Sequence, residues 1–205
     1  MSSYQKTTPK GYDFYEVASA FQKSIRRGME KESIFWGIEL YEAGCEVYAW
    51  KRMLIMSCED VGLADPLVNT VLVNLKSTFD FLKSMHDAGG AKLPYTMAIL
   101  TLVRAKKSRL VDNTITAYWQ DHEHDALEIP DWALDSHTRR GKALGRGLQF
   151  FYEESAKLNN RRVLPQDEER EAMAKKVDRF DFGQDEPCPI PNKQQLKNEI
   201  QYSLF

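Results

Sequence analysis

Cysteine is scarce in this chain: Cys45, Cys58 and Cys188 make an odd number without metal-site spacing. That speaks against a disulfide framework and fits reduced thiols in a cytosolic protein. The N-terminus has no apolar run of the kind a secretory signal needs, and no stretch approaches the apolar length of a membrane helix. Excess charge is missing too. The 28 Lys and Arg face 30 Asp and Glu, a net charge of −2, so the protein is not basic throughout, although local basic clusters stay open. Period-two alternation of apolar and polar residues is absent over any useful length, which argues against strands. The expectation is an all-α, soluble, cytoplasmic protein.

Catalytic constellations are equally thin. A phosphate-binding loop needs a glycine-rich turn ending in Gly-Lys-Ser/Thr before a helix, so that backbone N–H groups and the lysine cradle phosphates. Gly141-Lys142-Ala143-Leu144-Gly145 lacks the hydroxyl, the upstream glycine and a preceding strand, and Gly89-Gly90-Ala91-Lys92 fails in the same way. His122-Glu123-His124, with Asp121 and His137 near in sequence, invites a metal. Helical residues two apart diverge by about 200°, however, so the two imidazoles do not share a face, and a solvated helix end is the better reading. No nucleophile or base sits at helical spacing from Glu59 and Asp60. No catalytic residue, metal or cofactor is expected.

What is present reads as helix after helix. With 205 residues, 42% hydrophobic and 28% charged, the chain can fill one domain and carry an appendage. Residues 1–11 are polar, with Pro9 and Gly11, and read as a loose lead-in. Asp13 caps a first helix with Phe14, Val17, Ala18, Phe21 and Ile25 on its apolar face, ending near Gly28. A second helix, about 31–43, presents Ile34, Phe35, Ile38 and Tyr41. The third, 47–61, carries Val47, Trp50, Leu54, Cys58 and Val61, with Cys58 read as a core residue. A fourth runs from Leu67 through Leu82 and ends at Gly89-Gly90. The fifth starts near Pro94 with Ala98, Ile99, Leu102 and Val103 inward, and a sixth spans about 109–126. Ile129-Pro130-Asp131-Trp132 is a turn, and residues 138–158 are helical but broken by glycines. The domain is drawn over 12–165, followed by a charged exposed helix at 166–178. Residues 179–205, with Pro187, Pro189 and Pro191, are expected to be a flexible tail.

The corner between the third and fourth helices organises the chain. In Cys58-Glu59-Asp60-Val61-Gly62-Leu63-Ala64-Asp65-Pro66, Gly62 supplies a left-handed conformation, Asp65 can accept from free N–H groups of the next helix, and Pro66 fits its first turn. Glu59 and Asp60 end a helix whose dipole opposes them, so they require a positive partner. This stretch, after Tyr12-Asp13, Ser19 to Arg26, Phe35-Trp36 and Glu42-Ala43-Gly44, resembles the C-terminal helical region of the replication-associated recombination ATPases. That is the RarA/MgsA family, with its eukaryotic relative the Werner-helicase-interacting protein. The similarity continues through Ala105 to Ser108 and Ile129-Pro130 to Gly141 to Gly145, about residues 11–150 in all. It implies a clamp-loader-collar-like fold, tetramers, and a chain without the family's ATPase core. Phe35, Trp36, Glu59, Asp60, Gly62, Asp65 and Pro66 become oligomer-interface or core residues, and a full-length ATPase relative or a single-stranded-DNA-binding protein becomes a possible partner.

Two further readings concern partners. Lys23 with Arg26-Arg27, Lys51-Arg52, Arg161-Arg162, Arg104 with Lys106, Lys107 and Arg109, and Arg139 and Arg140 with Lys142 and Arg146 could neutralise DNA phosphates if they converge on one face. The alternative is that they pair with the many carboxylates. Finally, Gln201-Tyr202-Ser203-Leu204-Phe205 resembles the bacterial sliding-clamp-binding pentapeptide, whose preferred form is Gln-Leu-Ser/Asp-Leu-Phe. Leu204 and Phe205 would fill an apolar pocket while Gln201 fixes the register. Tyr202 departs from the usual leucine. The function expected is a non-enzymatic accessory module that oligomerises and docks on the clamp, or else a stand-alone binder of single-stranded or forked DNA.

Overall fold

A carboxylate starts the first helix where the sequence places one. In the computed structural model, which describes residues 7–181, Asp13 accepts from the backbone N–H groups of Tyr15 and Glu16 at 2.8 and 3.1 Å. Helix α1 (Phe14–Arg26) then buries Val17, Ala18, Phe21 and Ile25, and Gly28 at φ +71° closes it. Helices α2 (Glu30–Glu42), α3 (Glu46–Met56), α4 (Leu67–Ser84), α5 (Ala88–Arg104) and α6 (Leu110–His124) complete a compact unit that reaches Asp125. Its core holds Phe21, Ile25, Leu40, Trp50, Met53, Met56, Leu72, Ile99 and Leu102, all essentially inaccessible. Each such side chain contributes about 1.5–3 kcal/mol of burial. The rings of Tyr41, Trp50, Phe79 and Tyr95 cross in the centre, with centroids 5.1–6.3 Å apart.

From Ala126 a second unit is built of shorter pieces. A 3-10 turn at Asp131–Ala133 follows the expected Ile129-Pro130 turn. After it come α7 (Arg139–Ala143), α8 (Leu148–Phe150) prolonged by a π-helical turn at Phe151–Ser155, and α9 (Asp167–Asp181). Among the described residues the β structure amounts to one isolated bridge, Thr7 with Asp13. The protein is all-α.

Several local expectations need correction. The buried residues of α2 are Ser33, Gly37, Glu39 and Leu40, while Phe35 and Ile38 lie outside, 39% and 51% exposed. Close packing decided this. Tyr95 donates its hydroxyl to the Gly37 carbonyl at 2.9 Å, and a Cβ on Gly37 would stand 2.5 Å from Ile99 Cδ1. Only a face of small residues admits α5 at that distance. Helix α3 passes into a π-helical turn at Ser57–Val61, whose extra residue rotates the end of the stripe. Cys58 is therefore exposed rather than in the core, and Val47 is outside as well.

Asp87 moves the start of α5 upstream. Its carboxylate accepts from Gly90 N–H at 2.8 Å, so Gly89 and Gly90 form the first turn and Pro94 lies inside the helix. Asp65 does not cap α4 through its side chain. Its carbonyl accepts from Val68 N–H at 3.1 Å, and the helix begins after Pro66. The lead-in is also less loose than its composition implies over residues 7–11, because Thr8 is buried and Lys10 N–H donates to the buried Glu39 at 2.9 Å.

The close α2–α5 approach yields a direct test. Gly37→Val should destabilise the protein by about 1–3 kcal/mol through overpacking, read as a lower urea midpoint at unchanged m-value.

Candidate functional site

The corner that ends α3 is a joint made of charge. The π-helical turn carries the Asp60 carboxylate inward, where its side chain is 2% exposed. Arg26, in the last turn of α1, grips it from one side: Nε donates to Oδ1 at 2.7 Å and Nη2 to Oδ2 at 3.0 Å. Arg109, which caps α6, donates Nη1 to Oδ1 at 3.0 Å. Glu59 stands beside them, 3.1 Å from Arg26 Nη2 and 3.3 Å from Arg109 Nη2. Asp112 accepts from the same Nη2 of Arg109 that faces Glu59. Its hydrogen bond, ahead of the charges of Asp60 and Glu59, raises the Arg109 guanidinium above its usual range. The backbone joins in, since Ser108 N–H donates to the Asp60 carbonyl at 2.8 Å.

The positive partner that Glu59 and Asp60 require is thus supplied within the chain, by Arg26 and Arg109 together. Their pairing spans 34 and 49 positions. Only an explicit three-dimensional contact reveals it. Gly62 takes φ +51° and ψ −128°, a region that side-chain-bearing residues avoid, and Val111 leaves only 3.0 Å for a Cβ there. The neighbouring Asn69 donates to Ser57 Oγ at 2.8 Å and to Cys58 Sγ at 3.4 Å.

The basic residues singled out in sequence are largely occupied. Arg104 makes a two-pronged pair with Glu30 at 2.9 and 3.1 Å, which raises the arginine and lowers the glutamate. Lys107 closes the end of α5, donating to the carbonyls of Leu102, Val103 and Ala105 at 2.9–3.2 Å. Burial holds its ammonium below the ordinary lysine range, against the opposing charge of Asp60. Lys106 is exposed. In the second unit, Arg146 donates to the carbonyls of Asp131 and Leu134 at 2.7 and 3.0 Å and lies over the Phe150 ring. Arg139, Arg140 and Lys142 sit on α7, all three with exposed side chains. Gly141 is buried there because a Cβ would overlap the Asp135 carbonyl. The Gly-Lys-Ala-Leu-Gly stretch is therefore a packing turn, and Gly89-Gly90 is a capped helix start.

On α2, Trp36 is half-buried between Tyr12 and Phe35, with ring centroids 5.4 and 4.8 Å away. His122 and His124 lie exposed at the end of α6. Among the described residues, no group of three or more His, Cys, Asp or Glu is placed to hold a metal ion. Gln201, Tyr202, Ser203, Leu204 and Phe205 lie outside the described residues. One feature escaped the sequence reading. An apolar groove of about 750 Å³ runs between α3, α4 and α6, lined by Val47, Trp50, Leu54, Ile55, Val111 and Ile115, with Cys58 also in its wall. Its apolar lining is divided between two helices far apart in the chain, α3 and α6, and so leaves no single periodic signal.

Fold and joint together define a class, an all-α domain whose most buried acid is neutralised internally by two arginines. Its family follows from comparison. The family described as MgsA AAA+ ATPase C terminal matches residues 29–180, and the chain belongs to that family. It is similar to the replication-associated recombination protein A of Coxiella burnetii, 28% identical over 145 residues, covering 70% of this chain and 32% of that protein. The protein of the same name from Bacillus subtilis is 29% identical over 139 residues, covering 67% and 32%. The Escherichia coli K12 protein is 30% identical over 149 residues, covering 70% and 32%. The chain thus spans about a third of the length of these relatives and matches their C-terminal domain. Among the described residues no helix is long and apolar enough to cross a membrane.

The joint predicts a graded response. Arg26→Ala leaves Asp60 with Arg109 alone and should cost about 2–3 kcal/mol. Arg26→Lys, a point charge without the fork, should recover only part of that. Urea denaturation of the two variants against wild type measures both.

Proposed function

We propose that the chain is a non-enzymatic accessory module of replication-associated recombination. It self-associates through its helical domain and docks on the bacterial sliding clamp through Gln201 to Phe205. Family membership supports the process. The self-association rests on one structural observation, the outer face of α2. Phe35 and Ile38 are large, apolar and open to solvent, backed by Tyr12 at 40% exposure and by the half-buried Trp36. Aromatic and aliphatic residues grouped on a rigid helix are what protein interfaces use as anchors.

The non-enzymatic part rests on where the polar groups go. Glu59, Asp60, Arg26 and Arg109 neutralise one another, which leaves this cluster no uncommitted acid or base. The same economy weakens direct DNA binding, since Arg104, Lys107, Arg109 and Arg146 are each held by carboxylates or carbonyls of the chain. A tetramer, alone or mixed with a full-length ATPase relative, is the assembly the family points to.

Two measurements test the proposal. Light scattering at micromolar concentration should show an oligomer for wild type and a monomer for Ile38→Glu, with helical content unchanged. The short tail motif should bind purified bacterial clamp in the micromolar range. Burial of Phe205 is worth about 1.5–3 kcal/mol, so Phe205→Ala should weaken that binding roughly ten- to hundredfold. A monomeric wild type removes the self-association, and clamp affinity unchanged after loss of Gln201 to Phe205 removes the docking.

A further inference from the structure

Beside the joint, α1 and α3 meet along a second, largely polar seam. On α1, Tyr15, Ser19, Gln22 and Arg26 recur at steps of three and four residues and so share one face. Tyr48 and Arg52 share a face of α3 in the same way. A crevice of about 140 Å³ lies between the helices, and Lys23 completes its polar lining with Tyr15, Ser19, Gln22, Arg26 and Tyr48. Not one carboxylate lines it, in a chain whose 30 acidic residues outnumber its 28 Lys and Arg.

Its cations are not fully engaged. The exposed Lys23 ammonium has no hydrogen bond or ion pair among the described residues. Arg26 gives Nε and Nη2 to the joint, which leaves its Nη1 without an acceptor there. Arg52 is half-buried, and its one hydrogen bond runs from Nη2 to the amide oxygen of Gln22. It meets no carboxylate among the described residues. A guanidinium partly withdrawn from water without a counter-ion is costly, and an anion beside it offsets that cost. The hydroxyls of Ser19 and Tyr48 have no partner among the described residues either. Phe14 steadies the two tyrosines, its ring centroid 5.2 Å from that of Tyr15 and 5.0 Å from that of Tyr48.

We propose that the crevice between α1 and α3 binds the terminal phosphate of a nucleotide. Pockets that enclose a drug-sized molecule run to about 300–1,000 Å³, so this one takes a single group. Lys23 and Arg52, the cations without a counter-ion, match a phosphate monoester, which carries about −1.5 to −2 at neutral pH. Lys23, Arg26 Nη1 and the hydroxyls of Ser19 and Tyr48 supply donors for its three oxygens. A carboxylate, with one charge and two oxygens, would leave part of this set unused. The rest of the ligand stays outside, where the Tyr15 ring, 74% exposed, offers a face for a base to stack on. The chemistry is the same for a free nucleotide and for one at the end of a strand. The site depends on neither self-association nor clamp docking.

Isothermal titration calorimetry on the full chain tests it, with adenosine 5′-monophosphate as the probe and adenosine as the control. The monophosphate should bind with a Kd of about 0.1–1 mM or tighter, and adenosine should give no binding heat. Lys23→Ala, at an exposed position, and Arg52→Gln should each weaken the monophosphate about tenfold. Lys106→Ala, an exposed cation outside the crevice, should leave it unchanged. Circular dichroism first establishes that each variant is folded. A single-stranded oligonucleotide with and without a 5′-phosphate separates the two sources. Tighter binding of the phosphorylated strand than of the monophosphate assigns the strand end, while equal binding of both strands, with the monophosphate still bound, assigns the free nucleotide. The proposal is overturned if neither the monophosphate nor the phosphorylated strand binds, if adenosine binds as well as its monophosphate, or if Lys23→Ala and Arg52→Gln leave the affinity unchanged.

Discussion

Asp60 is a carboxylate held almost wholly out of water, and an unpaired charge in that position would cost several kcal/mol, a large part of a domain's net stability. The structure resolves this by bringing three helices to one point. Arg26 ends α1, Asp60 sits in the turn that ends α3, and Arg109 begins α6. Each arginine also touches Glu59, so two negative and two positive charges form one network. Because Arg109 stands at the start of α6, the joint also positions a helix with little other anchorage. No residue of α6 is buried, and Val111 and Asp112 are its most sheltered side chains near the corner.

That division of labour explains the surface. The apolar centre formed by Trp50, Phe79, Tyr95 and their neighbours holds α2 to α5 by itself, so α6 is free to stand off and leave a groove. Tyr95 illustrates the cost accepted in the centre. Burial pushes its hydroxyl far up, and the proton it keeps is the one donated to Gly37. That neutral donor, with the close contact of Gly37 on Ile99, keeps the Gly37 face of α2 inward and Phe35 and Ile38 outward.

Much of this was readable from residues alone, where the cause is local. Asp13 before Phe14, Gly28 after Arg26 and the breaks around Gly145 announce helix ends by their own chemistry. The need of Glu59 and Asp60 for a cation followed from the helix dipole. Its identity did not, because Arg26 and Arg109 lie far away in the chain. Periodicity misled in α2, where tight packing on Gly37 outweighed the larger stripe of Ile34, Phe35, Ile38 and Tyr41. It misled again at Cys58, where one extra residue in the π-helical turn changed the face. Pro94 looked like a helix start, yet the Asp87 cap seven residues earlier prevailed.

If the carboxylate is what fixes α6, its removal should loosen that helix before the core. Native-state hydrogen exchange of Asp60→Asn, compared with wild type, measures this segment by segment. The amides of Thr114 to Trp119 in α6 should exchange about tenfold faster or more, corresponding to roughly 1.4 kcal/mol or above, while those of Ile99 and Leu102 in α5 change less. Unchanged protection in α6 would contradict the joint.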